Sequence, residues 1–523
     1  MTLVSVAPSN AEVVFKRGNG AEVESLDIHV AQSVNSSNIQ RDLFEGLITE
    51  SASGELIAGV AESWEVDDTG RVYTFHLRGD ARWSNGDPVS AYDFEFGLRR
   101  LVDPATASPY AFIVYPIHNA ARIAAGDLKN VARLGVKALD DRTLRIRLAN
   151  PTPYFLGSLT HVATFPVHRK SVQELGSDWV RPGKMISNGA YQLAEWVPQS
   201  HITLTKNKHF HDAVNVQIDK VIYVPTEDQA AELKQFRAGE LDWTDNVPIS
   251  QYTWLKRNMP DELHVMPYLG VYYYDINLTD KKFQDIRVRK ALALAIDRSV
   301  ITGKVTRQYQ IPAYSLVPPS TNNYKEVVPS WAELSQNERK KLAIQLMAEV
   351  GYTPENPLEV EILYNTQDTH RKIAIAVASM WRKIGVKTTM RNEEWKVLLT
   401  SRNMSQFEVA RDGWIGDYND PYTFMEIFRS DIGVMNNPRY ANTEYDALLD
   451  KANQELDLKR RSELMAQAEK ILLEEFPIIP IYFYVRPNLI KGYVKGYAET
   501  PQWHHYTRWL RIEKTVAEQG AGD

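Results

Sequence analysis

Three carboxylates and an amide crowd one short stretch: Asp412, Asp417, Asn419 and Asp420. Side chains so spaced can hold calcium or, as paired carboxylates, work as acid and base. The stretch lacks the EF-hand pattern of ligands around a central glycine, which weakens the calcium reading. The tight histidine pairs, His209 with His211 and His504 with His505, have no carboxylates at metal-binding spacing and read as solvated surface. The chain contains no G-x-S-x-G elbow, no H-E-x-x-H, and no G-x-G-x-x-G after a strand. Gly176 to Lys184 comes nearest to a phosphate loop, but its spacing is wrong and Met185 stands where Ser or Thr is needed. With no cysteine, thiol catalysis, thiolate metal sites and disulfides are excluded. The common catalytic motifs are thus absent. Asp417 is either a charge partner or an organiser of the turn Gly416 to Pro421, since Asp and Asn favour turns.

The elements that must position these residues belong to a large chain. Its 523 residues exceed one domain, and 44% hydrophobic with 24% charged residues is ordinary for a globular core. The net charge of −6 gives no basic face for nucleic acid or anionic membrane. Tyr (26), Trp (12) and Phe (16) are plentiful, which serves either core packing or a wet, amphipathic cleft. No stretch approaches the roughly 18 apolar residues of a membrane span. Leu3 to Ala7 reads as the remnant of a trimmed signal peptide.

Short strands alternate with helices throughout, as in α/β or α+β proteins, with two or more lobes. Tyr73, Phe75 and Leu77 alternate with Thr74, His76 and Arg78, a half-buried strand that runs into the turn Asn85-Gly86-Asp87-Pro88. Asp285 precedes a helix carrying Val288, Leu292 and Ile296 at a spacing of four. Leu342 to Val350 and Tyr445 to Leu473 have helical periodicity, with Gly351 a stop for the first. Ile478 to Val485, interrupted by Pro480, reads as a buried strand.

Several segments together carry a resemblance. They are Arg41-Asp-Leu-Phe-Glu-Gly46, Gly59-Val-Ala-Glu-Ser-Trp64, Tyr73-Thr-Phe-His-Leu-Arg78, Trp83-Ser-Asn-Gly86, Asn188-Gly-Ala-Tyr191, and Asp285-Ile-Arg-Val-Arg289 with Ala295-Ile-Asp-Arg298. Tyr364-Asn-Thr366, Glu394-Trp-Lys396 and Gly413-Trp-Ile-Gly-Asp-Tyr-Asn-Asp-Pro421 are nearer still. Colinear over nearly the whole chain, they resemble the periplasmic oligopeptide-binding proteins of bacterial ABC importers, extracellular solute-binding family 5.

The resemblance implies an α/β, two-lobed periplasmic binding protein, a hinged trap of type II, cluster C, with an extra domain inserted in the first lobe. Lobe I would comprise 1–44, 170–270 and 486–523, the inserted domain 45–169, and lobe II 271–485. It also implies no enzymatic activity and no cofactor. The ligand would be a short peptide and the partners the membrane permease subunits of an ABC transporter, for a periplasmic monomer that binds no nucleic acid. Asp417 falls where the family places the carboxylate for the ligand's ammonium. The backbone around Gln32 to Val34 and around Trp414, Ile415 and Gly416 would pair with the ligand main chain. Tyr110, Trp395 and Trp414 match pocket-lining positions. Arg411 and His370 match positions serving the ligand carboxylate, with Arg402 a further cation and Asn365 beside it. Where relatives carry a lysine for that carboxylate, this chain has Thr306 or Arg307. Where oligopeptide binders carry a cysteine pair, it has Gly270 and Ile415. The murein-peptide binders share that lack, and Ile373 to Met380 and Ser401 to Asn403 are similar to theirs, so a cell-wall peptide is the alternative ligand. A peptidase is a distant one.

Overall fold

The computed structural model describes residues 12–513. Leu3 to Ala7 and the outermost ends of the expected lobe I lie outside the described residues. Three sheets organise the chain. The first has four strands in the order Val14–Gly18, Lys220–Val224, His201–Lys206, Tyr191–Val197. Only its Val14–Gly18 pairing is parallel. The second, also four-stranded, is antiparallel and lies wholly within residues 61–147. Its strand Val72–Leu77 buries Tyr73, Phe75 and Leu77 and leaves the intervening residues half-buried, as the alternation requires.

The third sheet has six strands and contains the site. At its centre runs β1 (Leu263–Ile276), flanked by β2 (Val409–Ile415) and β3 (Ile478–Leu489), both antiparallel to it. Leu358–Asn365 and Val386–Glu393 extend it beyond β2, pairing parallel. β1 and β3 are unusually long, and their ladder is interrupted between Pro267 and Val271. Past that irregularity β3 continues to the first sheet, because Ile490 bridges Trp243 and Trp243 bridges Arg17. Two paired strands thus tie the first sheet to the third.

Caps account for the helices. Asp285 accepts from the Arg287 N–H and starts Ile286–Ala295, which buries Val288 and Leu292. Ser335 and Glu338 form a reciprocal capping box for Gln336–Glu349, which ends before Gly351 at φ +88°. The periodicity of Tyr445 to Leu473 resolves into two helices, Thr443–Gln454 and Leu458–Glu475, because Asp457 caps a new start. Ile478 to Val485 lies in the buried strand β3.

Candidate functional site

Between these sheets lie two adjoining chambers of about 120 and 230 Å³ that share Val34, Tyr268, Trp395 and Ile415 on their borders. Antiparallel geometry decides what β2 offers them. Gly416 N–H donates to Leu269 O at 2.8 Å, so Gly416 and Leu269 form a hydrogen-bonded pair. The next pair, Ile415 and Gly270, is therefore a non-hydrogen-bonded one. By the same alternation Ile415, Gly413 and Arg411 turn their N–H and C=O groups away from β1. Leu358–Asn365 covers β2 only as far as Ala410. Beyond Ala410 the far edge of β2 borders the chambers. Opposite it, Ser33 caps the helix Val34–Leu43, while Glu24 accepts from the Gln32 and Ser33 N–H groups. A first-turn N–H such as that of Val34 has no intrahelical acceptor.

Asp417 stands at one end of the smaller chamber, 7% exposed. Its N–H donates to Thr423 Oγ1 at 3.1 Å, and Trp414 Nε1–H donates to the same oxygen at 3.3 Å. The loop thereby holds the carboxylate. Oδ1 lies 3.5 Å from His161 Nε2, and Oδ2 has no hydrogen-bond partner among the described residues. Burial pushes the Asp417 carboxyl up to about 8, against the opposing pull of Arg41 and the Tyr110 hydroxyl. Burial, with Arg41 and His504, holds His161 well below the usual imidazole range, so its ring is neutral. Ala163 N–H donates to His161 Nδ1 at 3.3 Å, which leaves the ring proton on Nε2, facing Asp417. Tyr110 stacks on His161 at 4.4 Å and lies 6.4 Å from Trp414. A carboxylate so enclosed, with one oxygen free, is a receptor for a cation.

The larger chamber is bordered by Arg411, His370 and Asn365. Arg411 donates from Nη2 to Tyr484 Oη at 2.8 Å and from Nη1 to Asn365 Oδ1 at 3.4 Å, its guanidinium 5.1 Å from the Tyr272 ring. Burial opposes its charge, but Tyr484, Tyr272 and Asp412 outweigh that and raise its pKa. His370 is buried with Nδ1 unpartnered among the described residues. Burial and then Arg411 hold it well below the usual imidazole range, so it offers a hydrogen bond and not a charge.

All twelve residues singled out from sequence border one or both chambers: Gln32, Val34, Tyr110, Asn365, His370, Trp395, Arg402, Arg411, Trp414, Ile415, Gly416 and Asp417. Arg402 differs from expectation in its surroundings. It borders the Asp417 chamber, and its Nη1 pairs with Asp412 at 2.6 Å, so its charge is already matched. Neither Thr306 nor Arg307 borders either chamber; Gln308 and Gln310 do. The acidic stretch is dispersed, Asp412 to Arg402 and Asp420 to Arg461. His504 and His505 are buried rather than solvated, because His504 bridges Arg41 and Glu50. His161, Tyr268, Tyr484 and Gln502 were not found from sequence, where none sits in a motif.

A ligand-sized cavity between sheets joined by two crossing strands, lined by unspent hydrogen-bonding groups, defines a two-lobed solute-binding protein. The chain matches the bacterial extracellular solute-binding proteins, family 5 Middle, over residues 55–436, and it belongs to that family. It is 44% identical over 503 residues to the periplasmic oligopeptide-binding protein OppA of Salmonella typhimurium, covering 95% of this chain and 92% of that one. The structure of Haemophilus influenzae OppA in complex with RPPGFSPFR superposes with a TM-score of 0.93 at 39% identity, covering 97% and 100%. The Escherichia coli murein tripeptide binding protein MppA gives 0.94 at 38%, covering 97% and 99%. MppA in its unliganded open form gives only 0.69 at the same identity and coverage. The lobes here therefore do not have the open arrangement.

Proposed function

We propose that this protein captures short peptides for an ABC importer. It is a periplasmic monomer that does no chemistry on its ligand, binds no nucleic acid, and passes the peptide to membrane permease subunits. Among the described residues no helix is long and apolar enough to cross a membrane. The proposed lobe I is 1–44, 170–270 and 486–523, the inserted domain 45–169, and lobe II 271–485.

One observation carries the reading: a buried Asp417 with one free oxygen, at the end of a cavity walled by an open strand edge. A binder of many peptides must grip what they share. Asp417 receives the α-ammonium, the edge of Ile415 and Gly413 takes the main chain as an added strand, and Arg411 with His370 meets the carboxylate of a ligand that ends beside them. Each main-chain hydrogen bond nets about 0.5–1.5 kcal/mol. A handful of these with the ammonium pair reaches the roughly −8 kcal/mol of micromolar affinity. Tyr110, Trp395 and Trp414 line roomy side-chain space where water adapts to different side chains.

The TM-score of 0.94 to the murein tripeptide binder supports a second ligand, a cell-wall peptide. Native mass spectrometry of the purified protein separates the readings by the mass of what it carries. Peptides of mixed mass support the general reading, and one mass with amino-sugar or diaminopimelate chemistry the second. A non-peptide ligand removes both.

A further inference from the structure

Arg307 to Gln310 reach from the proposed lobe II across to the proposed lobe I. Both ends of the segment are fixed in lobe II. The π-helical stretch Ile301–Thr306 precedes it. After it, Ile311 and Pro312 pair with Phe483 and Tyr482 of β3, and Ala313 N–H donates to Ile481 O at 3.0 Å. Stretches of π-helix are rare and gather at functional sites. Arg307 and Tyr309, on either side of Gln308, have φ of +54° and +65°. A residue other than glycine adopts that left-handed conformation at a cost, which its surroundings must offset.

A relay of hydrogen bonds supplies the offset. Thr306 Oγ1–H donates to Gln310 Oε1 at 2.7 Å, Gln310 Nε2–H to Gln308 Oε1 at 3.1 Å, and Gln308 Nε2–H to Val247 O at 3.1 Å. Gln308 N–H donates back to Gln310 Oε1 at 3.2 Å. All four residues are buried, where bonds in such a chain strengthen one another. Val247 belongs to the proposed lobe I, so the last bond of the relay crosses between lobes.

The next residue crosses on the outside. Tyr309 is 59% exposed. Its ring meets Tyr252 edge-on at 6.0 Å and the Lys256 ammonium at 4.8 Å, and its hydroxyl accepts from that ammonium. Tyr252 and Lys256 lie on the helix Tyr252–Asn258, shortly after Val247. Successive residues thus hold lobe I twice, by a buried bond and by a surface clip. Neither contact uses Asp417, Arg411 or the open edge of β2.

We propose that Arg307 to Gln310 form a strap between the lobes. Gln308 meets Val247, and Tyr309 meets Tyr252 and Lys256, as the lobes close, and these contacts slow reopening by the same factor whatever peptide is inside. A contact between lobes favours the closed form with or without a ligand. This rests on the lobe boundaries and the peptide reading above and adds to them a brake on release that is indifferent to ligand sequence.

Tyr309→Ala and Gln308→Leu test it, by stopped-flow release of two peptides of unrelated sequence and by energy transfer between dyes on the two lobes of the empty protein. Each variant is expected to release both peptides about two- to tenfold faster, the range one net hydrogen bond supports, and to lower the closed fraction of the empty protein. Gln308 borders the larger chamber, whereas Tyr309 stands on the surface outside both, so Tyr309→Ala decides. Parent release rates and parent closed fraction in Tyr309→Ala overturn the strap. Faster release of one peptide and not the other overturns it as well. If the parent binds neither peptide, the peptide reading falls, and the closed fraction of the empty protein still decides the strap.

Discussion

His161 holds its Nε2 3.5 Å from Asp417 Oδ1, so the blind end of the cavity is completed only where the 155–165 segment meets the loop after β2. The pair joins a neutral donor to a carboxyl that burial has pushed up to about 8. The blind end is thus poised to gain a positive charge.

Asp417→Asn keeps the shape and removes the charge. An ammonium enclosed without its partner costs about 2–5 kcal/mol, a loss of at least about thirtyfold in affinity. N-acetylating the peptide removes the same interaction from the other side. The variant with the acetylated peptide should therefore lose little more than either change alone, a non-additivity that calorimetry reads directly. Unchanged affinity for the free-amine peptide in Asp417→Asn would remove this residue from the site.

Closure without ligand should become more favourable as pH falls from about 8 and level off near 6.5. Asp417 gains a raised pKa on burial, so its proton favours the closed form, and that help fades as pH rises through about 8. His161 moves the other way. Its lowered pKa means that closing expels a proton once pH falls below its ordinary 6.5. Arg41 and the Tyr110 hydroxyl face the same carboxyl, burial pushes that hydroxyl up, and Arg41 and His504 face His161. Below pH 6.5 the two effects oppose each other with equal slope, so the closed fraction should rise as pH falls from about 8 to about 6.5 and then level off, as read by energy transfer between dyes on the two lobes, with that rise absent in Asp417→Asn. A closed fraction rising steadily to about pH 5 would contradict the His161 part.

Sequence reading reached the helix ends through local chemistry and the cavity through the family resemblance. Asp285 and Gly351 announce helix ends by side-chain and backbone chemistry, and Gly413 to Asp417 of the quoted motif form one continuous stretch of wall. His161 and Tyr484 left no such sign. Each depends on a partner far away in the chain, Asp417 in one case and Arg411 in the other. The burial of His504 also escaped, since its bonds run to Arg41 and Glu50. Charge matching was equally invisible: Arg402 reads as a free cation until Asp412 is seen 2.6 Å away.

Tyr154 should contribute to closure without touching the ligand. Its ring lies parallel to Tyr418 at 5.0 Å, 5.2 Å from Tyr422 and 5.2 Å from the Arg461 guanidinium. Tyr418 follows Asp417 directly, so this stack fixes the loop that carries the carboxylate. Aromatic pairs add about 0.5–1.5 kcal/mol each beyond area burial. Tyr154→Ala should weaken peptide binding by about tenfold or more, chiefly through faster release, while Tyr154→Phe stays near the parent. Stopped-flow release rates check this, and equal rates in Tyr154→Ala would show that the stack is indifferent to closure.

Gly270 and Ile415 make the last prediction. They face each other across β1 and β2 as a non-hydrogen-bonded pair, the closer of the two antiparallel spacings. A Cβ on Gly270 would overlap Ile415 Cδ1 and come within 2.9 Å of Trp414 O. Gly270→Ala should therefore destabilise the protein by about 1–3 kcal/mol, the usual range for overpacking. Ile415→Val deletes the overlapping methyl, so it should recover part of that loss in the double variant, the remainder belonging to the Trp414 carbonyl. Replacing both with cysteine turns the same closeness to use, since directly opposed strand residues lie within the Cα range that a disulfide spans. The oxidised double-cysteine variant should bind peptide like the parent. Loss of binding on oxidation would mean that this strand pair must flex when the lobes close.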